Sequence, residues 1–272
     1  MKKILVLWIC ILLTSMTAAC SHAADAPDRA DNTGAAIEAK REYTDFEGKN
    51  IGVITNTLCY FTAEKIGAVA RNYAESPLAV TDIRRGDLDG FIAALSGVRA
   101  MAAELGRDTF EAIEIPAKIF AAQIGGFAHD QDVTDRFNAF LSEITADGTL
   151  DKMKSRWIGE TLDLTSPMPD IPNSGENGVL KVATTSDAIP YAYLGADGVL
   201  KGFSVELALR FGAYEGKTVE FNDVEFGGLI QYIADKNADI GLANMVITEE
   251  RARQVLFTDP LCDEQHGILA MK

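Results

Sequence analysis

A proline-rich stretch in the middle of the chain constrains the fold more than any other feature of the sequence. Residues 160–177 read ETLDLTSPMPDIPNSGEN, with three prolines and little apolar periodicity, which is typical of a linker. On both sides of this stretch, strand-like and helix-like segments alternate, as they do in α/β proteins with mostly parallel strands. The sequence therefore predicts an α/β fold of two units, each a mostly parallel sheet flanked by helices.

The predicted elements follow from apolar periodicity and from helix start and stop signals. In the first unit the pattern predicts strands over 50–54, 67–73, 88–93, 110–115 and 119–128. The helices predicted there cover 58–65 (capped by Thr57), 77–85, 96–105, 133–145 and 149–157. In the second unit we predict strands over 179–184, 218–224, 238–243 and 266–271, a hairpin at 195–198, and helices over 204–211, 227–235 and 248–255.

The helix predicted over 149–157 has the sequence of a C-terminal helix. Leu150, Met153 and Trp157 share one face at helical spacing, and Gly159 ends the run. The chain nevertheless continues to residue 272, so this terminal type of helix precedes the linker.

The first twenty residues have the pattern of an export signal. Lys2 and Lys3 precede an apolar run over 4–13, which is shorter than the roughly 20 residues that a membrane-spanning helix needs. The signal ends in MTAAC, which resembles a bacterial lipobox with Cys20 as the lipidated residue, although Thr17 stands where that motif usually has Leu. We predict a lipoprotein signal over 1–20, with cleavage without lipid as the alternative, and a flexible Ala/Asp-rich tether over 21–43.

Charge and composition argue against several classes of partner. The formal net charge is −15 and the sequence has no basic run, which argues against a nucleic-acid partner. Outside the signal the cysteines are Cys59 and Cys262, which either pair or remain buried thiols; we favour thiols. His22, His129 and His266 are scattered without metal-ligand spacing, so the sequence predicts neither a metal nor a cofactor.

Several stretches carry a resemblance to a known family. They are VLKVATTSDAIPYAY (179–193), GFSVELALRF (202–211) and the segment 224–260, which ends in FTDP. These stretches resemble the first lobe of the family 3, amino-acid-type solute-binding proteins of bacteria. FEGKNIGVI (46–54) and RRGDLDGFI (84–92) resemble the start and a later strand of that family's second lobe. The resemblance implies a two-lobed periplasmic-binding-protein fold that holds its ligand between the lobes.

The order of these stretches differs from the order in the family, where lobe one comes first. The resemblance therefore implies a circular permutant, with its ends at the hinge between the lobes. The predicted parts are lobe two over 44–128, terminal helices packing on lobe one over 129–159, the linker over 160–177 and lobe one over 178–272. Two alternatives stay open: the chain is one segment of a longer tandem array, or lobe two pairs with lobe one of a neighbour in a swapped dimer.

The resemblance also implies ligand-binding residues. Arg251 matches the arginine that binds a ligand carboxylate, and the helix over 248–255 would present it. Phe226 matches an aromatic residue of the cleft wall, and Tyr191 lines either the cleft or the core. From the residues alone, an exposed arginine on a charged helix is the favoured explanation for Arg251 and core packing is favoured for Tyr191, whereas Phe226 fits the core and the cleft equally well.

On lobe two, the resemblance points to a turn. Asn56 and Thr57 match a Gly-Thr turn whose side-chain and backbone donors meet the ligand. A helix cap is the structural alternative for this pair.

Other positions depart from the family pattern. Asn244 and Val246 stand where the family has a small glycine and a Ser or Thr that helps the arginine. Ala188 replaces a cleft aromatic. These departures favour a ligand with a carboxylate and an apolar body over a standard polar amino acid.

The family's lobe-two acid, which holds the ligand ammonium, falls at Ala94. A buried ammonium without an acid partner is costly. Asp187 is the candidate replacement, with a turn-forming aspartate as its structural alternative. Thr185 stands where some relatives have an acid.

The function implied by the resemblance is that of an extracytoplasmic binding protein. It would capture an amino-acid-like or carboxylate-bearing small molecule for an ABC-type transporter permease, as a lipoprotein anchored in the periplasm or at the cell surface. A sensor or scaffold with a degenerate ligand site is the main alternative. An enzyme is the third, because cyclohexadienyl dehydratases resemble this family; we predict no catalytic residue.

Overall fold

The computed structural model describes residues 41–159 and 162–272. The predicted signal, Cys20 and the tether up to residue 40 lie outside the described residues. Within the described part, no helix combines the length and apolar character needed to cross a membrane.

Strands and helices alternate along most of the chain. The strands are β1 (Asn50–Ile54), β2 (Val69–Tyr73), β3 (Gly90–Ala94), β4 (Phe110–Glu114), β5 (Ala121–Ile124), β6 (Phe127–Ala128), β7 (Val179–Thr184), β8 (Asp187–Ala188), β9 (Ala192–Leu194), β10 (Leu200–Lys201), β11 (Thr218–Asp223), β12 (Ile240–Gly241), β13 (Leu256–Phe257) and β14 (Cys262–Met271). The α-helices are α1 (Cys59–Lys65), α2 (Ser76–Arg85), α3 (Leu95–Leu105), α4 (Gln131–Ala146), α5 (Thr149–Trp157), α6 (Phe203–Glu215) and α7 (Leu229–Ala234). Single 3-10 turns cover Tyr43–Phe46, Phe226–Gly228 and Arg251–Arg253.

The first sheet forms the lobe that we call lobe two. Its order is β2-β1-β3-β14-β4, and β5 also pairs with β14. β1 runs parallel to β2 and β3, whereas β14 runs antiparallel to β3, β4 and β5. Apolar side chains on both faces of this sheet pack under α1, α2 and α3. The sheet is therefore parallel except for β14, the last strand of the chain.

The second sheet forms lobe one, in the order β11-β7-β12-β6-β13. β7 pairs in parallel with β11 and β12, and β6 is the antiparallel strand here. A small antiparallel sheet of β8, β9 and β10 carries the predicted hairpin. At its end Gly202 has a φ of 128°, a conformation that side-chain-bearing residues rarely adopt, and there the chain turns into α6.

Two segments cross between the lobes, and each becomes the antiparallel strand of the sheet that it enters. The first leads from β5 to β6 through Gly125 and Gly126, and the second leads from β13 to β14. The two segments are hydrogen-bonded to each other, since Thr258 N donates to Gly126 O at 2.9 Å and Leu261 N donates to Ile124 O at 2.8 Å. This double crossing is the hinge of the molecule.

The structure corrects the predicted part boundaries at both crossings. Residues 127–128 pair in the sheet of lobe one, and 262–271 pair in the sheet of lobe two. The predicted strand over 266–271 therefore starts too late, because the pattern CDEQ before it contains polar residues that still pair with β5. The predicted lobe-one range 178–272 includes ten residues that belong to the other sheet.

The start of the described chain also differs from the prediction. Residues 41–43 were predicted as tether, but Arg41 Nε forms an ion pair with Glu111 Oε1 at 2.6 Å and its guanidinium donates to Met271 O at 2.5 Å. This contact lies where β14 ends, about 30 Å along the strand from the hinge at the usual rise per residue. Within the described residues, Arg41 and the end of β14 therefore lie together away from the hinge.

Helices α4 and α5 pack on lobe one through an apolar cluster that includes Phe137, Trp157, Phe203 and Phe211. The indole Nε1 of Trp157 donates to the buried carboxylate of Glu206 at 2.6 Å. Arg156 and Arg210 both form ion pairs with that carboxylate at 2.7 Å. The helix that resembles a chain terminus is thus fixed to lobe one by a buried aromatic and a buried acid.

Candidate ligand-binding cleft

A cavity of about 160 Å³ lies between the two lobes, against the hinge. An engineered cavity of about this size in another protein holds a benzene molecule, so the space suits a small organic ligand. Most of its wall is apolar, and the polar or charged side chains of the wall are Thr57, Cys59, Ser76, Asp187, Asn244, Arg251, Glu264 and His266. A wider space of about 770 Å³ lies beside it and shares Thr57, Leu58, Phe226 and Arg251 with it.

Arg251 reaches the cavity from lobe one. It begins the single 3-10 turn Arg251–Arg253, not the helix predicted over 248–255, because only a short segment separates Ile247 from β13. The hydroxyl of Thr248 accepts from Arg251 N at 3.2 Å, and the guanidinium Nη1 donates to Val246 O at 2.9 Å. Burial lowers the pKa of this arginine. The carboxylate of Glu250 acts on this pKa in the opposite direction, but no carboxylate within the two described ranges lies close enough to form an ion pair with Arg251.

Three further predicted residues of lobe one line the same cavity: Phe226, Asn244 and Val246. Phe226 begins the 3-10 turn before α7, and Val246 bridges to Ile124 of the hinge. The side-chain oxygen of Asn244 is buried and accepts no hydrogen bond from the described chain. A buried acceptor without a donor is costly, so this oxygen is available to a ligand donor.

The other three predicted residues of lobe one lie at the edge of the cavity or outside its lining. Asp187 lies on the cavity wall but is solvent-exposed, and its carboxylate accepts from the hydroxyl of Thr185. Thr185 is not among the lining residues of either space, and neither is Tyr191, which is fully buried. Tyr191 therefore belongs to the core, as one of its two predicted placements has it.

On lobe two, Thr57 and Asn56 lie in the turn after β1. Thr57 lines both spaces and Asn56 lines the wider one. Thr57 does not cap α1, because its hydroxyl donates back to Ile54 O at 2.7 Å and the cap position is Leu58. Asn56 has a φ of 62°, the left-handed conformation that Asn tolerates better than most residues.

Sequence reasoning missed Glu264, the buried acid of the cavity. It lies on β14 and accepts from the hydroxyls of Ser96 at 2.5 Å and Tyr191 at 2.6 Å. Since the strand was predicted to start at 266, Glu264 was assigned to the preceding loop. An acid that shares a strand face with His266 and Ile268 was the available signal.

A second missed group surrounds His266. Its Nδ1 lies 2.8 Å from Thr62 Oγ1, its Nε2 lies 3.7 Å from Cys59 Sγ, and its ring stacks on Phe120. Burial lowers the pKa of His266 to about 3 and raises the pKa of the Cys59 thiol to about 11. Both groups are therefore neutral at neutral pH.

The cysteine prediction concerns Cys59 and Cys262, and both are buried free thiols. Burial raises the pKa of Cys262 to about 12. Among the residues that the structure describes, no cluster of three or more His, Cys, Asp or Glu side chains has the arrangement of a metal site.

The fold and the site together define a two-lobed protein with a ligand-sized cavity beside a hinge of two crossing segments. Residues 180–272 match the family described as bacterial extracellular solute-binding proteins, family 3. This match lies within lobe one and β14, so the predicted resemblance of this part of the chain to family 3 is confirmed, and the structure has the predicted two-lobed α/β fold.

Several known proteins are similar to the same part of the chain. The arginine-binding extracellular protein ArtP of Bacillus subtilis is 36% identical over 103 residues, which are 37% of this chain and 40% of ArtP. The cyclohexadienyl dehydratase of Pseudomonas aeruginosa is 35% identical over 85 residues, or 31% of this chain and 32% of that enzyme. The chain thus spans less than half the length of these relatives.

Among solved structures, the arginine-bound domain 1 of TmArgBP is 33% identical. The match covers 35% of this chain and 81% of that chain, with a TM-score of 0.31. An ancestral arginine-binding protein bound to arginine is 37% identical over 30% of this chain and 37% of its own, with a TM-score of 0.30.

The buried histidine predicts acid sensitivity. Because the pKa of His266 is about 3 in the folded protein and about 6.5 in the unfolded chain, the unfolded chain binds more protons between these values. Stability is therefore lost as pH falls through this window, by about 2 kcal/mol from pH 7 to pH 5. The free energy of unfolding is measured by urea denaturation at pH 7 and pH 5. Because the His266→Gln variant has no imidazole at this position, we expect its stability to fall by about 2 kcal/mol less than that of the wild type over this interval.

His129→Gln is the matched control, because it removes an imidazole outside the cavity and should keep the pH dependence of the wild type. An unchanged pH dependence in His266→Gln would contradict the assignment of this acid sensitivity to His266.

Proposed function

We propose that the protein is an exported solute-binding protein that captures an amino-acid-like small molecule between its lobes and delivers it to an ABC-type transporter permease. The observation that carries this proposal is the cavity against the hinge, which Arg251 lines with a charge that forms no ion pair with a carboxylate of the described residues. The family match over 180–272 and the similarity to arginine-binding proteins support the choice of ligand class.

The geometry supports capture by closure. A ligand that contacts Arg251 and Phe226 of lobe one and Thr57 of lobe two stabilises the arrangement in which both lobes touch it. The double crossing at the hinge allows such a change because, in the described part of the chain, the connection between the sheets consists of two short segments. The ligand-bound protein thereby adopts a conformation that the permease can distinguish from the ligand-free protein.

The chemistry of the wall indicates the parts of the ligand. A guanidinium donates two parallel hydrogen bonds to a carboxylate, so Arg251 is the carboxylate subsite. Ile54, Phe91, Met101 and Phe120 provide apolar surface for the body of the ligand.

We propose binding rather than catalysis for this cavity, even though one relative is a dehydratase. A general acid or base works best with a pKa near the working pH. His266 and Cys59 have pKa values of about 3 and about 11, far from neutrality, so neither is suited to proton transfer there.

For the location we propose export with the lipid anchor at Cys20.

The proposal includes the permuted lobe order. It is supported by the passage of β14 into the sheet of β1 and β3, and by the contact of Arg41 with Met271. A single chain then supplies both walls of the cleft. Light scattering of the purified protein tests this: we expect the mass of one chain with ligand bound, and a stable dimer would contradict the permuted monomer.

The carboxylate subsite is tested with the Arg251→Ala variant in a thermal-shift screen of L-amino acids, dicarboxylates and short peptides. A ligand with a Kd near 1 μM, supplied at about 1 mM, adds about 4 kcal/mol of stability to the wild type. Each kcal/mol raises the Tm by roughly 2–4 °C for a protein of this size. We expect Arg251→Ala to lose most of that shift.

Arg253→Ala is the matched control, because Arg253 lies exposed in the same turn and lines neither space. It should keep the full shift. A wild-type protein that is folded but shows no shift with any compound would refute small-molecule capture. An Arg251→Ala variant with an unchanged shift would remove Arg251 from the site.

A further inference from the structure

Glu264 is an acidic residue that is buried and lies in the wall of the cavity. The exposed fraction of the residue is 8%. On β14 its neighbour two residues on, His266, is the partner of Ala94 on β3. Alternate residues of a strand share a face, so Glu264 points to the same side as the residue opposite Ala94.

The carboxylate of Glu264 is held by donors from both lobes. Oε2 accepts from Ser96 Oγ at 2.5 Å and from Tyr191 hydroxyl at 2.6 Å, and Oε1 accepts from Gln265 N at 3.1 Å and Ser96 N at 3.5 Å. An ionised carboxylate is a pure acceptor, which matches this set of donors. All of these donors are neutral, and across residues 41–159 and 162–272 no Lys or Arg forms an ion pair with Glu264.

A negative charge that is buried in a mostly apolar wall without a cation is costly unless something pairs with it. The same wall carries Arg251, a cation that lacks a carboxylate partner among the described residues. One cavity therefore contains two opposite charges that do not pair with each other. A zwitterionic ligand neutralises both.

We propose that Glu264 is the residue that binds the cationic nitrogen of the ligand, in place of the acid that is absent at position 94. This inference rests on the proposed function, since it assigns a second subsite to the same cavity. The free oxygen of Asn244 supplies a further acceptor on the same wall for a donor of the ligand. Ser96 and Tyr191 are the positioning residues of this subsite.

Asp187 is the other carboxylate of the wall, and it is the weaker choice. It is solvent-exposed, so water and salt screen its charge, and its carboxylate already accepts from Thr185. Glu264 is buried, where an ion pair with a ligand is screened much less.

The first test uses the wild-type protein and matched pairs of compounds that differ at one group. L-leucine, L-methionine, L-phenylalanine and L-arginine are each compared by calorimetry with the 2-hydroxy acid that has the same side chain. The hydroxy acid keeps the carboxylate for Arg251 and lacks the ammonium for Glu264. We expect the amino acid that binds to lose at least ~30-fold in affinity when its ammonium is replaced by a hydroxyl.

The second test compares two variants of equal charge change, Glu264→Gln and Asp187→Asn. Glu264→Gln should lower the affinity for the amino acid by at least ~30-fold and nearly abolish the preference over the hydroxy acid. Asp187→Asn should keep both the affinity and the preference. Circular dichroism and the Tm of each ligand-free variant establish that the variants are folded.

The outcomes separate this inference from the proposed function. No binding of any compound by the folded wild type would refute the proposed function itself. Equal binding of amino acid and hydroxy acid by the wild type would leave the carboxylate subsite standing and overturn the role of Glu264. Loss of the preference in Asp187→Asn with retention in Glu264→Gln would assign the cation to Asp187 and also overturn the inference.

Discussion

The double crossing at the hinge is the constraint on which the rest of the structure depends. Two segments leave one sheet and enter the other, and they are hydrogen-bonded to each other through Gly126, Thr258, Ile124 and Leu261. Each then serves as the antiparallel strand of the sheet that it joins. The cavity lies against this hinge because Ile124, Glu264 and His266 of the crossing strands form part of its wall.

Strand β14, the second of the two crossing segments, brings both a carboxylate and an imidazole into the cavity wall. β14 passes through the core of lobe two with buried apolar residues such as Ile268 and Leu269, yet its first half carries Glu264 and His266. Burial keeps the imidazole neutral, because the pKa of His266 is lowered to about 3. The carboxylate instead receives hydroxyl and amide donors. The two groups differ because the imidazole packs among Thr62, Cys59 and Phe120, whereas the carboxylate accepts from donors of both lobes.

A good part of this fold was predictable from the sequence. The strands β1 and β7 and the helices α3, α4 and α5 lie within one or two residues of their predicted ranges, because apolar periodicity and capping signals coincide there. The predicted strand over 238–243 shortens to Ile240–Gly241, and the helix over 248–255 becomes one 3-10 turn. In both places, short connections to the hinge take precedence over local propensity.

Part of the cavity wall consists of residues that were proposed from the sequence. Arg251, Phe226 and Thr57 were proposed from family motifs, Asn244 and Val246 as departures from those motifs, and Asp187 as a replacement acid. All six line the cavity. Glu264 and His266 were missed because their place in the cavity depends on the pairing of β14 with β3, which joins residues far apart in sequence. The alternation of Glu264 with His266 and Ile268 marks one face of a strand, but only the tertiary register shows that this face borders the cavity.

The central claim is that one small molecule contacts both lobes of one chain. Hydrogen exchange of the purified protein tests it most directly, with and without a pool of the twenty L-amino acids at about 1 mM each, a concentration at which micromolar ligands saturate. The account predicts added protection in both 54–62 of lobe two and 244–251 of lobe one, together with the start of β14. Protection confined to one lobe, or none in a folded protein, would contradict it.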